Sequence, residues 1–353
     1  MVKGAPDVTV VGGGPAGTAL AIVLGRRGVR VRLYEKATHP RLKPCGEGLL
    51  PHGVRALDDI AGLPNVPRVR GLRFCAKDVS VDADFPDQPG LVVRRDRFDA
   101  WLFERAASTP GVDARQGTPY RPEPTGLLVG ADGVRSMFHR RLPGRFQTPR
   151  RVGLSTHVDG IEGLGEHVEV YFHDEGELYV APTGGGEALV SALFDYRHVR
   201  RDGVAFLLGK TQALSDRISA LRYTTPLLAS APLGLHVPHV VSEGPHGRLM
   251  LVGDAAGTPD PITAGGLALA LSATRVAADA VVSGDLASYE RRRLAMGRRA
   301  TRLAQLMLRL SKNERRAAFV LRNFSSMVPK LVEAAVRSKP TVRGPLRPAT
   351  RQP

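Results

Sequence analysis

The stretch from Asp7 to Glu35 constrains the fold more tightly than any other part of the chain. Asp7 to Val11 is a short run rich in β-branched residues, with the length and flanks of a buried strand. Gly12-Gly13-Gly14-Pro15-Ala16-Gly17 follows, then an apolar helical stretch from Thr18 to about Arg27, closed by Gly28 in the usual C′ role. Val29 to Tyr34 alternates as a second strand and stops at Glu35. Strand, glycine turn, helix, strand and acid make a βαβ unit. A lone G-x-G-x-x-G is weak, but in this context Gly12, Gly14 and Gly17 are a strong dinucleotide signal. Gly12 permits the tight turn, Gly14 lets backbone approach a pyrophosphate, and Gly17 allows close helix–strand packing. The phosphates would meet the helix N-terminus at Pro15 and Ala16. Glu35, followed by Lys36, would accept hydrogen bonds from the adenosine ribose and repel a 2′-phosphate. The unit alone does not separate FAD from NAD.

A chain of 353 residues holds about two packed units, or one large α/β unit with a cap. Hydrophobic residues at 42% and charged residues at 24% exclude a wholly disordered, collagen-like or disulfide-scaffold protein. Aromatics at 5%, with a single Trp, argue against a stacking platform for single-stranded nucleic acid. No apolar run approaches the ~20 residues of a membrane-spanning helix, and the N-terminus shows no signal-peptide pattern. Cys45 and Cys75 make neither a zinc pattern nor a bridge framework, so no metal is expected and a reducing, cytoplasmic setting is the default.

Net charge is +16, and its position tells more than its total. From Tyr289 to the end there are 17 Lys and Arg against three acids, leaving only +2 for everything before. An Arg-rich composition also follows from a GC-rich genome, and the two readings stay open.

Along the chain, helix and loop are expected from Glu35 to about Ala107. A strand-turn follows at Leu127 to Gly133, and Leu249 to Val252 is another buried strand. Alternation from Val152 to Phe194, as in Val168-Glu169-Val170-Tyr171-Phe172, reads as antiparallel strands of a second domain. Gly266 to Val282 is an apolar helix. The expected organisation is α/β: a Rossmann-like nucleotide domain from 1–150 and 246–288, an antiparallel substrate domain at 151–245, a basic helical region at 289–336, and a disordered tail at 337–353 with four prolines.

Three further motifs carry a resemblance. Arg95-x-x-Phe98-Asp99, then Gly130-Ala131-Asp132-Gly133, then Gly253-Asp254-Ala255-Ala256-Gly257 with Asp260-Pro261 and Gly265-Gly266, occur in that order after the glycine turn. Together they resemble the FAD-dependent monooxygenase superfamily, which includes aromatic hydroxylases, geranylgeranyl reductases and flavin halogenases. The resemblance spans roughly residues 5 to 290. It implies non-covalent FAD, with Gly12, Gly14 and Gly17 at the pyrophosphate, Glu35 at the ribose and Arg95 contacting the cofactor. It also implies Asp254 on the ribityl chain, Asp132 and Gly133 beside the cofactor, and Pro261 to Gly266 passing the isoalloxazine. The helix opening at Gly265 and Gly266 would point its N-terminus at the ring, stabilising an anionic reduced flavin by ~0.3–1 kcal/mol. From the residues alone, Asp254 could be only an N-cap, Asp132 a turn former and Arg95 part of a solvated face.

Lys43-Pro44-Cys45-Gly46-Glu47-Gly48 resembles the Pro-Cys-Gly-Gly-Gly segment of the geranylgeranyl reductase branch, with Glu47 in place of a glycine. That places Cys45 and Gly46 near the flavin; a small buried apolar role for Cys45 fits equally well. The substrate-domain Trp of that branch is missing, where Leu178-Tyr179-Val180-Ala181-Pro182 stands instead. The halogenase Trp-x-Trp is absent too, since Trp101 is the only Trp. The interval from Trp101 to Gly130 is shorter than the family's. No catalytic triad or carboxylate pair is evident, and Tyr171, Tyr179, His157, His167 and His173 sit near the substrate strands with no one of them assigned as a base.

The resulting expectation is an FAD-dependent oxidoreductase in which the cofactor carries the reaction. Hydroxylation of an aromatic, polyketide-like or lipophilic molecule, driven by NAD(P)H as a transient donor, comes first. Reduction of isoprenoid double bonds and non-catalytic lipid binding are the alternatives. In the C-terminal region Leu303, Leu306, Met307 and Leu310, then Phe319, Val320, Phe324, Met327, Val328, Leu331 and Val332, recur at helical spacing among Arg and Lys. A basic amphipathic region of this kind reads as peripheral contact with anionic membrane or a cover over a lipophilic substrate; a helix packed on the nucleotide domain is the alternative. Nothing indicates nucleic acid as partner.

Overall fold

The computed structural model describes residues 6–144, 151–244, 247–258, 260–263, 265–310 and 313–336. The expected tail at 337–353 lies outside them.

The βαβ unit builds the first sheet. Strands β1 (Val8–Val11) and β2 (Val31–Tyr34) flank helix α1 (Pro15–Arg26). They lie parallel in register, Val8 beside Val31 and Val11 beside Tyr34. Strands β8 (Val112–Arg115), β9 (Leu127–Gly130), β16 (Val241–Gly244) and β17 (Gly247–Leu251) complete a six-stranded sheet in the order β16-β17-β9-β1-β2-β8. All its pairs are parallel except β16 with β17. The sequence order reverses at β1, and the strand ends there leave the crevice that open α/β sheets use for ligands.

The second sheet contains β5 (Gly71–Ala76), β6 (Val79–Asp84), β10 (Arg151–Ile161), β11 (His167–Phe172), β12 (Gly176–Gly184), β13 (Glu187–Asp195), β14 (Ile218–Tyr223) and β15 (Leu228–Ala229). It is antiparallel apart from β5 beside β11. Its central strands β10 to β13 are largely buried on both faces, which explains their near-continuous apolar sequence, while β6 and β14 at its edges are largely exposed. Val170, Phe172, Tyr179, Ala181 and Leu189 face the large common core. Tyr171, Leu178, Val180 and Val190 face a separate core, closed by α4 (Gly203–Lys210) and α5 (Gln212–Ser215). Cys75 lies in that second core, where burial pushes its thiol up to about 12, so it stays a thiol.

Three expectations need correcting. The stretch from Glu35 to Ala107 is not only helix and loop. Besides α2 (Pro51–Ala61) and α3 (Arg95–Ala107) it holds β3 (Gly48–Leu49), β4 (Arg68–Val69), β5, β6 and β7 (Gly90–Val92). The division at 150/151 and 245/246 does not follow the sheets. Strands β5 and β6 join the second sheet through non-local pairing with β11, and β16 joins the first. The C-terminal region is not one helix. Helix α6 (Gly266–Ser283) leads into α7 (Leu286–Leu310), α8 (Glu314–Asn323) and α9 (Met327–Val336). Helices α8 and α9 pack on β5 and β6, not on the nucleotide sheet. Between α3 and β9 the chain supplies only β8, so β8 forms the sheet's edge.

Among the described residues, α6 is the one helix long and apolar enough to cross a membrane, and half of it is buried inside the protein. The start of α7 is tied to the end of β17. The fully buried Tyr289 donates its hydroxyl to the Leu251 carbonyl at 2.9 Å, and Arg293 donates to the Gly257 carbonyl at 2.9 Å. Burial pushes the Tyr289 phenol up to about 12, so it remains a donor. Tyr289→Phe leaves a buried carbonyl without its donor, at a cost of about 1–3 kcal/mol. The thermal midpoint should fall with an unchanged circular dichroism spectrum; an unchanged midpoint would show that this contact does not anchor α7.

Candidate functional site

The glycine turn shows why side chains are excluded from it. Gly12 has φ +114°, and a Cβ there would lie 2.3 Å from the Ala131 carbonyl oxygen at the end of β9. A Cβ on Gly17 would lie 2.1 Å from the Gly12 carbonyl oxygen. Gly14 differs, since a Cβ there meets nothing within 4 Å. The first two glycines hold turn, helix and β9 together, while the third leaves open space in front of the α1 N-terminus.

That space is one end of a cavity of about 240 Å³. The nucleotide domain lines it with Gly14, Pro15, Ala16, Gly133, Gly253 and Asp254. Cys45, Gly46, Glu47 and Arg95 line it from the middle, and Pro261 and Gly266 from the loop into α6. The second sheet contributes Leu154, Ser155, Tyr179, Ser191 and Leu193 opposite. Gly265 is the N-cap of α6, so the helix N-terminus opens at the cavity edge.

Other candidates lie outside the lining. Glu35 is buried behind the turn, accepting from the Gly13 and Ala37 N–H groups at 2.9 Å each and from Arg41 at 3.3 Å. Lys36 is exposed. Asp132 accepts from the Met137 N–H at 2.8 Å, in keeping with a turn role, but its Oδ1 is buried without a partner among the described residues.

Arg95 is not on a solvated face. It is buried, while neighbouring Arg97 is exposed. Its guanidinium makes two hydrogen bonds to Asp99, at 2.8 and 2.9 Å. Burial opposes its charge, but Asp99 and Cys45 beside it hold its pKa above the ordinary value. Asp254 is not an N-cap, a place Val252 takes, and its carboxylate has no hydrogen-bond partner among the described residues.

Two residues of the Pro-Cys-Gly segment, Lys43 and Glu47, were not assigned to the site from sequence, although that motif was the signal. Lys43 lines the cavity, and burial together with Arg95 pushes its ammonium below the usual lysine range, with Asp254 acting in the opposite direction. Glu47 is buried at φ +55° and accepts from the Arg95 N–H at 2.8 Å. Lys43, Arg95 and the α6 N-terminus bring positive potential to one cavity. A free carboxylate at Asp254 and open space at Gly14 complete a cradle for a phosphorylated, anionic cofactor rich in hydroxyls. These residues fit FAD. Among the described residues no group of three or more His, Cys, Asp or Glu could hold a metal.

The comparisons agree with this geometry. Residues 5–123 match the FAD binding domain family. A menaquinone reductase of Mycobacterium tuberculosis is 29% identical over 338 residues, covering 81% of this chain and 79% of that protein. A digeranylgeranylglycerophospholipid reductase of Methanothrix thermoacetophila is 27% identical over 359 residues, covering 87% and 89%. Among solved structures, the halogenase PltM superposes with a TM-score of 0.76 at 16% identity, covering 96% of this chain and 87% of that one. This last likeness shows the fold alone.

Asp254→Ala removes an acceptor facing the cavity, at about 1–3 kcal/mol. FAD should bind roughly tenfold or more weakly by titration calorimetry, while the apoprotein melts as before. Undiminished affinity would remove Asp254 from the cofactor site. With its FAD-binding domain, this cavity and these relatives, the chain is an FAD-dependent oxidoreductase.

Proposed function

We propose that the chain is a reductase of a lipophilic substrate with a long apolar, isoprenoid-like tail. The carrying observation is a second cavity of about 90 Å³ adjoining the first, with Leu50 and Leu72 lining both. Phe74 and Phe172 form its floor on the second sheet, and Val320, Leu321, Val328 and Val332 its roof on α8 and α9. Among the described residues, Thr263 is its one polar lining residue. A group entering there must be hydrocarbon, and each buried methylene contributes ~0.8 kcal/mol. Sequence relatives named as reductases of menaquinone and of a geranylgeranylated lipid support reduction over hydroxylation.

FAD, when bound, supplies the two-electron chemistry. The protein's own groups position and insulate. The α6 N-terminus and Lys43 favour negative charge in the cavity. Tyr179 lines it with a hydroxyl that has no partner among the described residues. Burial holds that phenol well above its ordinary pKa, so it can donate to a carbonyl or hydroxyl of the substrate head. The apolar walls exclude water. A nicotinamide donor belongs to the proposal as well.

FAD-loaded protein reduced anaerobically with dithionite should pass its electrons to a prenylated naphthoquinone much faster than to menadione, which has no tail. Val320→Trp, which fills the second cavity, should raise KM about tenfold for the tailed quinone and leave menadione unchanged. Dioxygen uptake stimulated by substrate, with a hydroxylated product, would overturn reduction in favour of hydroxylation. Tight lipid binding without turnover would mean a carrier.

The outer face of the roof supports a membrane-surface location. Phe319, Phe324 and Met327 are exposed, the two rings in edge contact at 6.3 Å, with Arg315, Arg316 and Lys330 exposed beside them. Such cations are each worth about 1 kcal/mol near anionic lipid. The protein should sediment with anionic vesicles and be released by salt. Replacing Phe319 and Phe324 with Ser should weaken this without loss of FAD. Equal recovery with anionic and neutral vesicles at low salt would overturn the location.

A further inference from the structure

We propose that Thr225, His157 and Glu47 form a proton relay from the protein surface to the flavin cavity, with Glu47 handing the proton to the substrate. The inference rests on the flavin-cavity reading above and adds the acid that reduction requires.

The geometry is a continuous line. The Glu47 carboxylate lines the cavity, and its Oε2 lies 3.0 Å from His157 Nε2 on β10. His157 Nδ1 lies 3.1 Å from Thr225 Oγ1. That oxygen already accepts the His157 backbone N–H at 2.8 Å, so its own hydrogen is free to point at Nδ1. The neutral imidazole then carries its hydrogen on Nε2, directed at Glu47. Thr225 is half-buried between exposed Thr224 and Pro226, and its carbonyl is held by Thr156 Oγ1 at 2.8 Å. His157 and Glu47 themselves are buried, so solvent reaches the line only at its Thr225 end.

A purely structural role accounts for less. Accepting the Arg95 N–H at the start of α3 needs only Oε1. Yet Glu47 holds φ +55°, a conformation that L side chains rarely adopt, between two glycines. A third glycine would make the same turn without strain. Among the described residues the carboxylate faces His157 from β10 and the Arg95 N–H from α3, while the Cys45 sulfur accepts the Glu47 backbone N–H at 3.3 Å. Among the described residues, the ring nitrogens of His157 face Glu47 and Thr225.

Reduction of a quinone or a double bond adds a hydride and a proton. The hydride comes from the reduced cofactor, which loses two electrons. The proton leaves the Glu47 carboxyl group, which regains one from His157 Nε2 as Nδ1 takes one from Thr225 and Thr225 takes one from water, leaving hydroxide in solvent. His157 then carries its hydrogen on Nδ1, and a turn of the imidazole ring restores the Nε2–H form before the next cycle.

The test uses full-length, FAD-reconstituted protein, with menadione oxidising the dithionite-reduced form. Glu47→Gln, His157→Asn and Thr225→Val should keep FAD stoichiometry but oxidise at least about tenfold more slowly, with an altered solvent isotope effect in heavy water, while Thr225→Val, which also loses the acceptor of the His157 backbone N–H, melts lower. Glu47→Gly suits the backbone at φ +55° and should be accelerated by added formate. Histidine nitrogen NMR of the apoprotein should show the Nε2–H form at His157, lost in Thr225→Val. Variants that bind FAD and react at the wild-type rate overturn the relay alone, as does an Nδ1–H form in the wild type. Failure of the wild type to bind FAD overturns the cavity reading beneath it.

Discussion

Turn, helix and neighbouring strand meet at Gly12 and Gly17 closer than any side chain allows, with β1, α1 and β9 locked backbone to backbone. From this contact the rest follows. It sets the strand ends of the first sheet at one level and opens the crevice where the order reverses. Strand β17 ends beside β9, which carries Gly253 and Asp254 to the same crevice. Tyr289 and Arg293 hang the C-terminal helices on that strand end. A methyl group at Gly12 or Gly17 would therefore disturb both the cofactor cradle and the roof of the second cavity.

Local chemistry was legible from the residues, and long-range pairing was not. The βαβ unit, the strand before Gly253 and the apolar α6 each announce themselves within a short window. Strands β5 and β6 do not. Their mixed sequence, Gly71-Leu72-Arg73-Phe74-Cys75-Ala76, becomes a strand because His167 to Tyr171 lies alongside, nearly a hundred residues away; β-structure is set by such context more than by propensity. The roof helices show the same limit. Their apolar stripe predicted burial, but only the tertiary structure shows that Ala317, Leu321 and Val332 pack toward β5 and β6. Glu47 was seen as a departure from a glycine pattern, but its meaning depends on His157 from another sheet, a partner no spacing rule supplies.

The charges around the cavity form layers. Arg95 sits deepest and is neutralised by Asp99. Arg41 reaches both Glu35, at 3.3 Å, and Asp99, at 3.7 Å, so it braces the turn and the first residues of α3 together. Among the described residues no ion pair holds Lys43, which lines the cavity together with the Asp254 and Glu47 carboxylates. In a region of low dielectric an unpaired charge acts over a longer distance than it would in water. Lys43 and the helix N-terminus therefore suit an anionic group of the ligand, and Asp254 suits its hydroxyls.

Dryness ties the two cavities to the buried dyad. Apolar walls around Leu50 and Leu72 suit the hydrocarbon tail of the proposed substrate, and such walls disfavour the water that would otherwise supply protons. A two-electron reduction in such a place is limited by its acid as much as by its hydride. General acid catalysis contributes about 10²–10⁴-fold, but only from a group within hydrogen-bond reach of the reacting atom. A carboxyl group lining the cavity meets that requirement when its proton can be replaced from outside. Glu47 meets it in this fold because β10 carries His157 from the cavity side toward the exposed Thr224–Pro226 turn. The strained backbone at Glu47 costs about 1–2 kcal/mol, which the α3 N-terminus and the His157 contact together can offset. A chain that handled only water-soluble substrates in an open cleft would have no need of that arrangement.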